Sequence, residues 1–180
     1  MESDIVIFIY LHPMNKHIAY LSMGSNMDNR KRHMDAAIAS IKLYCGEVLE
    51  VSNTYESDAI GFKTQNRFLN LAMKIKVDCG PLQLLLRLEA IEIKLGRLKP
   101  SIFSEYTDRQ MDIDIIFFDD LVMNSKELII PHPRMQDRLF VLKPLAELCP
   151  DFIHPVFKKT VRELLAECSD QSKLELSLER

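Results

Sequence analysis

The sequence predicts an α+β fold, a βαββαβ core in which an antiparallel sheet carries helices packed on one face. Three observations predict it. Hydrophobic periodicity switches between the strand and helix periods in the order strand, helix, strand, strand, helix, strand, followed by further helical segments. The 180 residues contain no internal repeat, low-complexity block or Pro/Gly/Ser linker, so they read as one domain with a full core. Asn70, Asp112 and Asp114 each fall out of phase with the apolar stripe of their own strand, which leaves the sheet an open face.

The elements follow in order. "HIAYLSMGSN" (17–26) reads as a strand entering a turn. Asp28 or Asn29 then caps a helix with Met34, Ile38, Ile41 and Cys45 at helical spacing, stopped by Gly46. "EVLEVSNTYES" (47–57) alternates through Val51, Asn53 and Tyr55 as a strand, and 58–67 is loop. "FLNLAMKIKV" (68–77) sets Leu69, Leu71, Met73, Ile75 and Val77 on one face and Phe68, Asn70 and Ala72 on the other. Pro81 opens a helix over 81–95 that Gly96 ends. A polar, basic-leaning loop of about a dozen residues (97–109) follows, a length more typical of functional loops than of connectors. The strand 110–118 comes next, then a hairpin-like return (119–129) and a helical turn opened by Pro133. "PLAEL" and "TVRELLAEC" are helical, the second with a Thr160–Glu163 capping box. Residues 169–180 read as a frayed polar tail.

Composition narrows the function classes. A net charge of −3 and a pI near 6.0 give no overall attraction to nucleic acid or an anionic membrane, while leaving room for a local basic site. Cys45, Cys79, Cys149 and Cys168 are widely spaced and form no CxxC pair, the pattern of free thiols in a reducing compartment rather than a zinc site. "DIVIFIYL" (4–11) is apolar but far short of the ~20 residues of a membrane span. Glu2 and Asp4 stand where a signal peptide carries Lys or Arg, and no A-x-A-like cleavage site follows. Residues 1–17 are therefore expected as an extension outside the core or an added edge strand, and the protein as cytoplasmic.

The chemistry concentrates in "DRQMDIDIIFFDD" (108–120). Alternation there sets Met111, Ile113, Ile115 and Phe117 on one side, and Asp112 and Asp114 beside Ile116 and Phe118 on the other. Residues i and i+2 of a strand point the same way about 6.5 to 7 Å apart, so the two carboxylates can grip one hard cation or two close together. Mg²⁺ suits such a pair because it binds through one or two carboxylates and completes its shell with water and phosphate oxygens. Arg97, Lys99 and Arg109 before the strand, with His132, Arg134 and Arg138 after it, supply cations for a polyphosphate. No G-x-x-x-x-G-K-[ST] motif or kinase-like glycine-rich loop occurs, so an ATP site must be of another kind. Two aspartates paired with surface Lys or Arg on an exposed sheet face would leave the same trace.

At these residues the chain resembles the 6-hydroxymethyl-7,8-dihydropterin pyrophosphokinase family. Four segments carry the resemblance in order: "AYLSMGSN", "FLNLAMKI", "IEIKLGR" followed by "RQMDIDII", and "IPHPRMQDRLFVLKPLAEL", spanning Ala19 to Glu167. The resemblance implies a ferredoxin-like α+β fold, which agrees with the βαββαβ order. It implies transfer of the β,γ-pyrophosphate of ATP to the pterin hydroxymethyl group, releasing AMP, with ATP as co-substrate and two Mg²⁺. Asp112 and Asp114 would then hold the metal ions, and Arg97 and Arg109 would stabilise the transferring charge. Glu92, Lys99, His132 and Arg138 would line the ATP site. Asn70, Phe140, Tyr106 and the backbone around Asp58, Ile60 and Gly61 would hold the pterin. The family pattern carries a small residue where "YTDR" has Thr107 and Asp108, and a Trp where Tyr106 is the nearest aromatic in a chain without Trp. The resulting division is an extension over 1–17, a pyrophosphokinase domain over 18–168 and a tail over 169–180, in a monomer that handles small molecules and neither nucleic acid nor membrane.

The competing classes are a non-catalytic module of the same fold and another Mg²⁺-dependent nucleotidyl or phosphoryl transferase. An RNA-binding module would want a basic face with exposed aromatics, which the acidic balance and the D-x-D oppose.

Overall fold

The alternating run His17–Ser25 forms strand β1, near the start of a computed structural model that describes residues 16–61, 64–96 and 108–178. Asn29 caps helix α1 (Arg30–Tyr44), its Oδ1 accepting the Arg32 N–H at 3.0 Å, while Asp28 makes the preceding turn at φ 53°. Gly46 does more than stop the helix. It begins strand β2 (Gly46–Val51), and a Cβ there would lie 2.3 Å from the Lys76 carbonyl oxygen of the facing strand.

The single strand expected over 47–57 is two. Strand β3 (Tyr55–Ser57) follows a break in which the Ser52 N–H donates to the Ala72 carbonyl and its hydroxyl accepts the Ala72 N–H. Both pieces pair with strand β4 (Phe68–Val77), β2 along its second half and β3 along its first. Helix α2 (Pro81–Lys94) starts at Pro81 as expected, and strand β5 (Asp112–Phe118) carries the two aspartates. Strands β6 (Met123–Asn124) and β7 (Ile129–Ile130) make the expected hairpin return, and Met135–Asp137 is a 3₁₀ turn. Helix α3 (Leu139–Leu148) begins five residues earlier than "PLAEL", and helix α4 (Val161–Glu167) carries the expected capping box. The expected frayed tail instead contains strand β8 (Leu174–Leu176), which adds to the sheet beside β3.

The antiparallel sheet runs β5-β1-β4-β3-β8, with β2 also on β4. With β2 and β3 counted as one, β5-β1-β4-β3 is the ferredoxin-like arrangement. Leu21, Met23, Met73, Ile75, Ile113 and Ile115 pack against α1 and α2 in the main core. Helices cover more than the one face expected. Val141, Leu142 and Leu145 of α3 and Val161 and Leu164 of α4 pack on Tyr20, Ala72, Ile116 and Phe117 on the opposite face.

A β-bulge corrects the alternation expected for β5. Leu21 pairs with Ile115 but Tyr20 with Phe117, so Ile116 is an extra residue in the ladder. One extra residue exchanges the faces beyond it. Phe117 therefore joins the second core and Phe118 the first, the reverse of a strict period of two. The Ile116 carbonyl accepts the His132 backbone N–H at 3.1 Å, so the bulge also anchors the segment after β7.

Candidate active site

Beside the start of α3, on the sheet face that α3 and α4 partly cover, lies a cavity of about 300 Å³. Its floor is Ser22 and Gly24 of β1, Phe68 and Asn70 of β4, and Asp112 and Asp114 of β5, neighbours across the ladder. Ser57, Asp58, Ile60 and Gly61, at the end of β3 and just after it, form one wall, and Arg134, Asp137, Arg138 and Phe140, leading into α3, form another. Gly61 turns at φ 90°, a conformation open to glycine and strained for other residues. Asn70 is buried, its Nδ2 donating to Ser57 Oγ at 2.9 Å. The Arg138 guanidinium lies 5.6 Å from the Phe140 ring centroid, which orients an aromatic wall.

Arg109 reaches this floor from the segment just before β5. Its Nη1 lies 2.7 Å from Asp112 Oδ1, with both side chains largely buried. Its backbone is tied twice to the buried Asn26, donating N–H to Oδ1 at 2.8 Å and accepting the Asn26 N–H at 3.2 Å. Asp108 doubles the anchor, accepting from Asn26 Nδ2 at 2.6 Å, Asn66 Nδ2 at 3.0 Å and Thr64 Oγ1 at 3.2 Å. The departure at Asp108 is thus a hydrogen-bonded joint between three segments.

A second hollow of about 290 Å³ lies beside β5, lined by Leu85, Ile113, Asp114, Ile115, Lys126, Glu127, Leu128, Ile129, His132 and Pro133. Asp114 lines both spaces. Burial, then the charges of Arg138 and Arg134, push the His132 pKa down to about 4 against a smaller pull from Asp112, so the imidazole is neutral at pH 7. Its Nδ1 accepts the Arg134 N–H at 3.3 Å, which assigns the proton to Nε2 and makes that nitrogen a donor.

The first cavity thus gathers Asp58, Ile60, Gly61, Asn70, Arg109, Asp112, Asp114, Arg138 and Phe140, and the second receives His132. Glu92 lines neither. It is buried, and its Oε1 accepts the N–H of Ile113, between the two aspartates, at 2.7 Å, so it holds the strand that presents them. Arg97, Lys99 and Tyr106 lie outside the described residues. Sequence reasoning missed Phe68, although its alternation with Asn70 was the available signal. It missed Asn26 and the joint at Asp108 because their partners are distant in sequence.

The family model for 7,8-dihydro-6-hydroxymethylpterin-pyrophosphokinase matches residues 20–150. The 2-amino-4-hydroxy-6-hydroxymethyldihydropteridine pyrophosphokinase of Bacillus subtilis is 40% identical over 134 residues, covering 74% of this chain and 78% of the relative. That of Aquifex aeolicus is 36% identical over 148 residues, covering 82% and 90%. The folic acid synthesis protein fol1 of Pneumocystis carinii is 40% identical over 143 residues, 79% of this chain, which spans 19% of that protein's length. Among solved structures, Plasmodium falciparum HPPK-DHPS superposes with a TM-score of 0.71 at 17% identity, over 85% of this chain and 44% of that one. At that identity the likeness concerns the fold.

Proposed function

The chain belongs to the 7,8-dihydro-6-hydroxymethylpterin-pyrophosphokinase family, and on that premise we propose how its two cavities carry the family's reaction. It transfers the pyrophosphoryl group of ATP to 6-hydroxymethyl-7,8-dihydropterin in folate biosynthesis. The observation that carries the residue-level reading is that Asp114 lines both cavities.

The first cavity takes the pterin. Phe68 and Phe140 offer aromatic surface to a flat ring, and Asn70 with the 58–61 segment offers amide and backbone groups to its polar edges. The second takes the nucleotide, with Leu128 and Ile129 as apolar surface and Lys126 and the Nε2–H of His132 as donors. The pterin hydroxyl is then directed at the β-phosphorus over Asp112 and Asp114. Its oxygen forms the new bond to phosphorus as the bond to the α-phosphate oxygen breaks, AMP leaves with that electron pair, and the hydroxyl proton is released to water. Arg109 turns from Asp112 onto the transferring oxygens, where a guanidinium meets developing charge.

Mg²⁺, two ions on this reading, suits a donor set of two carboxylates on one face of a strand. Among the described residues no third His, Cys, Asp or Glu joins the aspartates in a cluster able to hold a metal alone. The site therefore matches a cation that keeps waters and shares phosphate oxygens, as Mg²⁺ does. Asp112 and Asp114 would hold it, and when bound it supplies Lewis-acid polarisation and charge neutralisation of the phosphoryl oxygens. All four cysteines are free, which supports the cytoplasmic reading, and among the described residues no helix is long and apolar enough to cross a membrane.

The test incubates the protein with ATP, Mg²⁺ and the hydroxymethyl-dihydropterin and separates the nucleotides. AMP formed only when the pterin is present, lost with EDTA and restored by Mg²⁺, is the expected result. ADP as product, or turnover indifferent to the pterin, would overturn the reading.

A further inference from the structure

The segment after α4 touches both walls of the first cavity, and the reaction described above uses neither contact. On one side β8 pairs with β3 in the register Ser57↔Leu174, Glu56↔Glu175 and Tyr55↔Leu176, and the Ser177 N–H donates to the Thr54 carbonyl at 2.8 Å. Strand β3 is three residues long, and its Ser57 hydroxyl holds the Asn70 amide. Arg67 extends the grip, its Nη1 lying 3.0 Å from Glu175 and 2.9 Å from Glu56, and its Nε 3.3 Å from Asp58 on the cavity wall.

On the other side, Asp170 Oδ2 accepts the Leu139 N–H at 2.9 Å, and Oδ1 accepts the Ser172 N–H at 2.8 Å. Leu139 begins α3 between two cavity residues, Arg138 and Phe140, and Arg138 makes no side-chain cap there. A carboxylate from the tail thus satisfies one of the N–H groups that a helix start leaves unpaired. None of these contacts reaches the second cavity. The segment also lies beyond the 20–150 region that the family model matches.

Strand β3 is three residues long and pairs with β4 along one edge, with Tyr55 bonded to Glu147 of α3, so β8 completes its hydrogen bonding along the other edge. We propose that residues 169–177 form a strap that holds the two walls at the separation the pterin requires, making Asp170 and Glu175 positioning residues for pterin binding. The inference rests on assigning the first cavity to the pterin. Because the strap grips only that cavity, its loss separates the two substrates.

The experiment measures binding of Mg²⁺–ATP alone, and of the hydroxymethyl-dihydropterin in the presence of saturating Mg²⁺ and a non-hydrolysable ATP analogue, to the intact chain, to a chain ending at Ser169, and to Asp170→Ala and Asp170→Asn. Truncation is expected to weaken pterin binding about tenfold, ~1.4 kcal/mol, with ATP affinity unchanged within about twofold. Asp170→Ala should show the same selective loss on a smaller scale, and Asp170→Asn, which keeps an oxygen acceptor for Leu139, should recover most of it. Wild-type pterin affinity in the truncated chain or in Asp170→Ala would overturn the strap, and so would parallel loss of both substrates in Asp170→Ala. If the truncated chain fails to fold by circular dichroism, the Asp170 pair decides. An intact chain that does not bind the pterin would instead refute the cavity assignment, and the strap with it.

Discussion

Acidifying the metal-free protein from pH 7 to pH 5 probes the surroundings of His132. Burial and the neighbouring Arg138 and Arg134 lower its pKa from 6.5 to about 4, and Asp112 offsets part of that. In the unfolded chain the imidazole titrates at its ordinary value, so between the two pKa values the unfolded state binds a proton that the folded state refuses. The stability contributed by the neutral side chain is complete above pH 6.5 and is lost as pH falls toward 4. At pH 5 nearly every unfolded molecule carries the proton and about a tenth of the folded ones do, a difference of ~2 kcal/mol against a few tenths at pH 7. His132→Gln removes this titration and leaves every other group in place. Urea unfolding of both proteins at the two pH values should show the wild type losing ~2 kcal/mol more than the variant. Equal losses would mean that His132 titrates normally, and the argument for a neutral Nε2–H donor in the second cavity would fail with it.

Three further outcomes are expected. Asp114→Ala, removing the carboxylate that both cavities share, should lower kcat by ~10³-fold while the far-UV spectrum and pterin binding persist; near-normal turnover would refute the metal role. Arg109→Ala should lower kcat by ~10²-fold with KM values changed only severalfold, and a change confined to KM would move the residue to ground-state binding. Gly46→Ala places a methyl 2.3 Å from the Lys76 carbonyl oxygen and should cost ~2–4 kcal/mol in urea unfolding, whereas an unchanged midpoint would mean that β2 relaxes away from β4 at no cost.

The aspartate strand illustrates how far reasoning from residues alone reaches. Asp112 and Asp114 share a face because successive residues alternate, and that holds at both positions. The same rule fails three residues later, where the bulge at Ile116 reverses Phe117 and Phe118. Nothing local could reveal it, since two adjacent phenylalanines suit either face of a sheet covered on both sides. Glu92 is similar. Its helix and its carboxylate were legible, but its bond to the Ile113 N–H depends on how α2 lies against β5.

By itself the sequence determined the βαββαβ order of the core, a cap at Asp28 or Asn29 and another at Thr160, the aspartate pair and the cations near it in sequence. These depend on periodicity and on contacts within a few residues, which short stretches of chain encode directly. Only the tertiary structure decided that β3 breaks from β2, that Asn26 and Asp108 anchor Arg109, and that the polar tail returns as β8 beside the wall of the first cavity. Each joins residues twenty or more positions apart, and such a contact is selected by the packing and hydrogen-bond satisfaction of the whole fold rather than by the character of either partner.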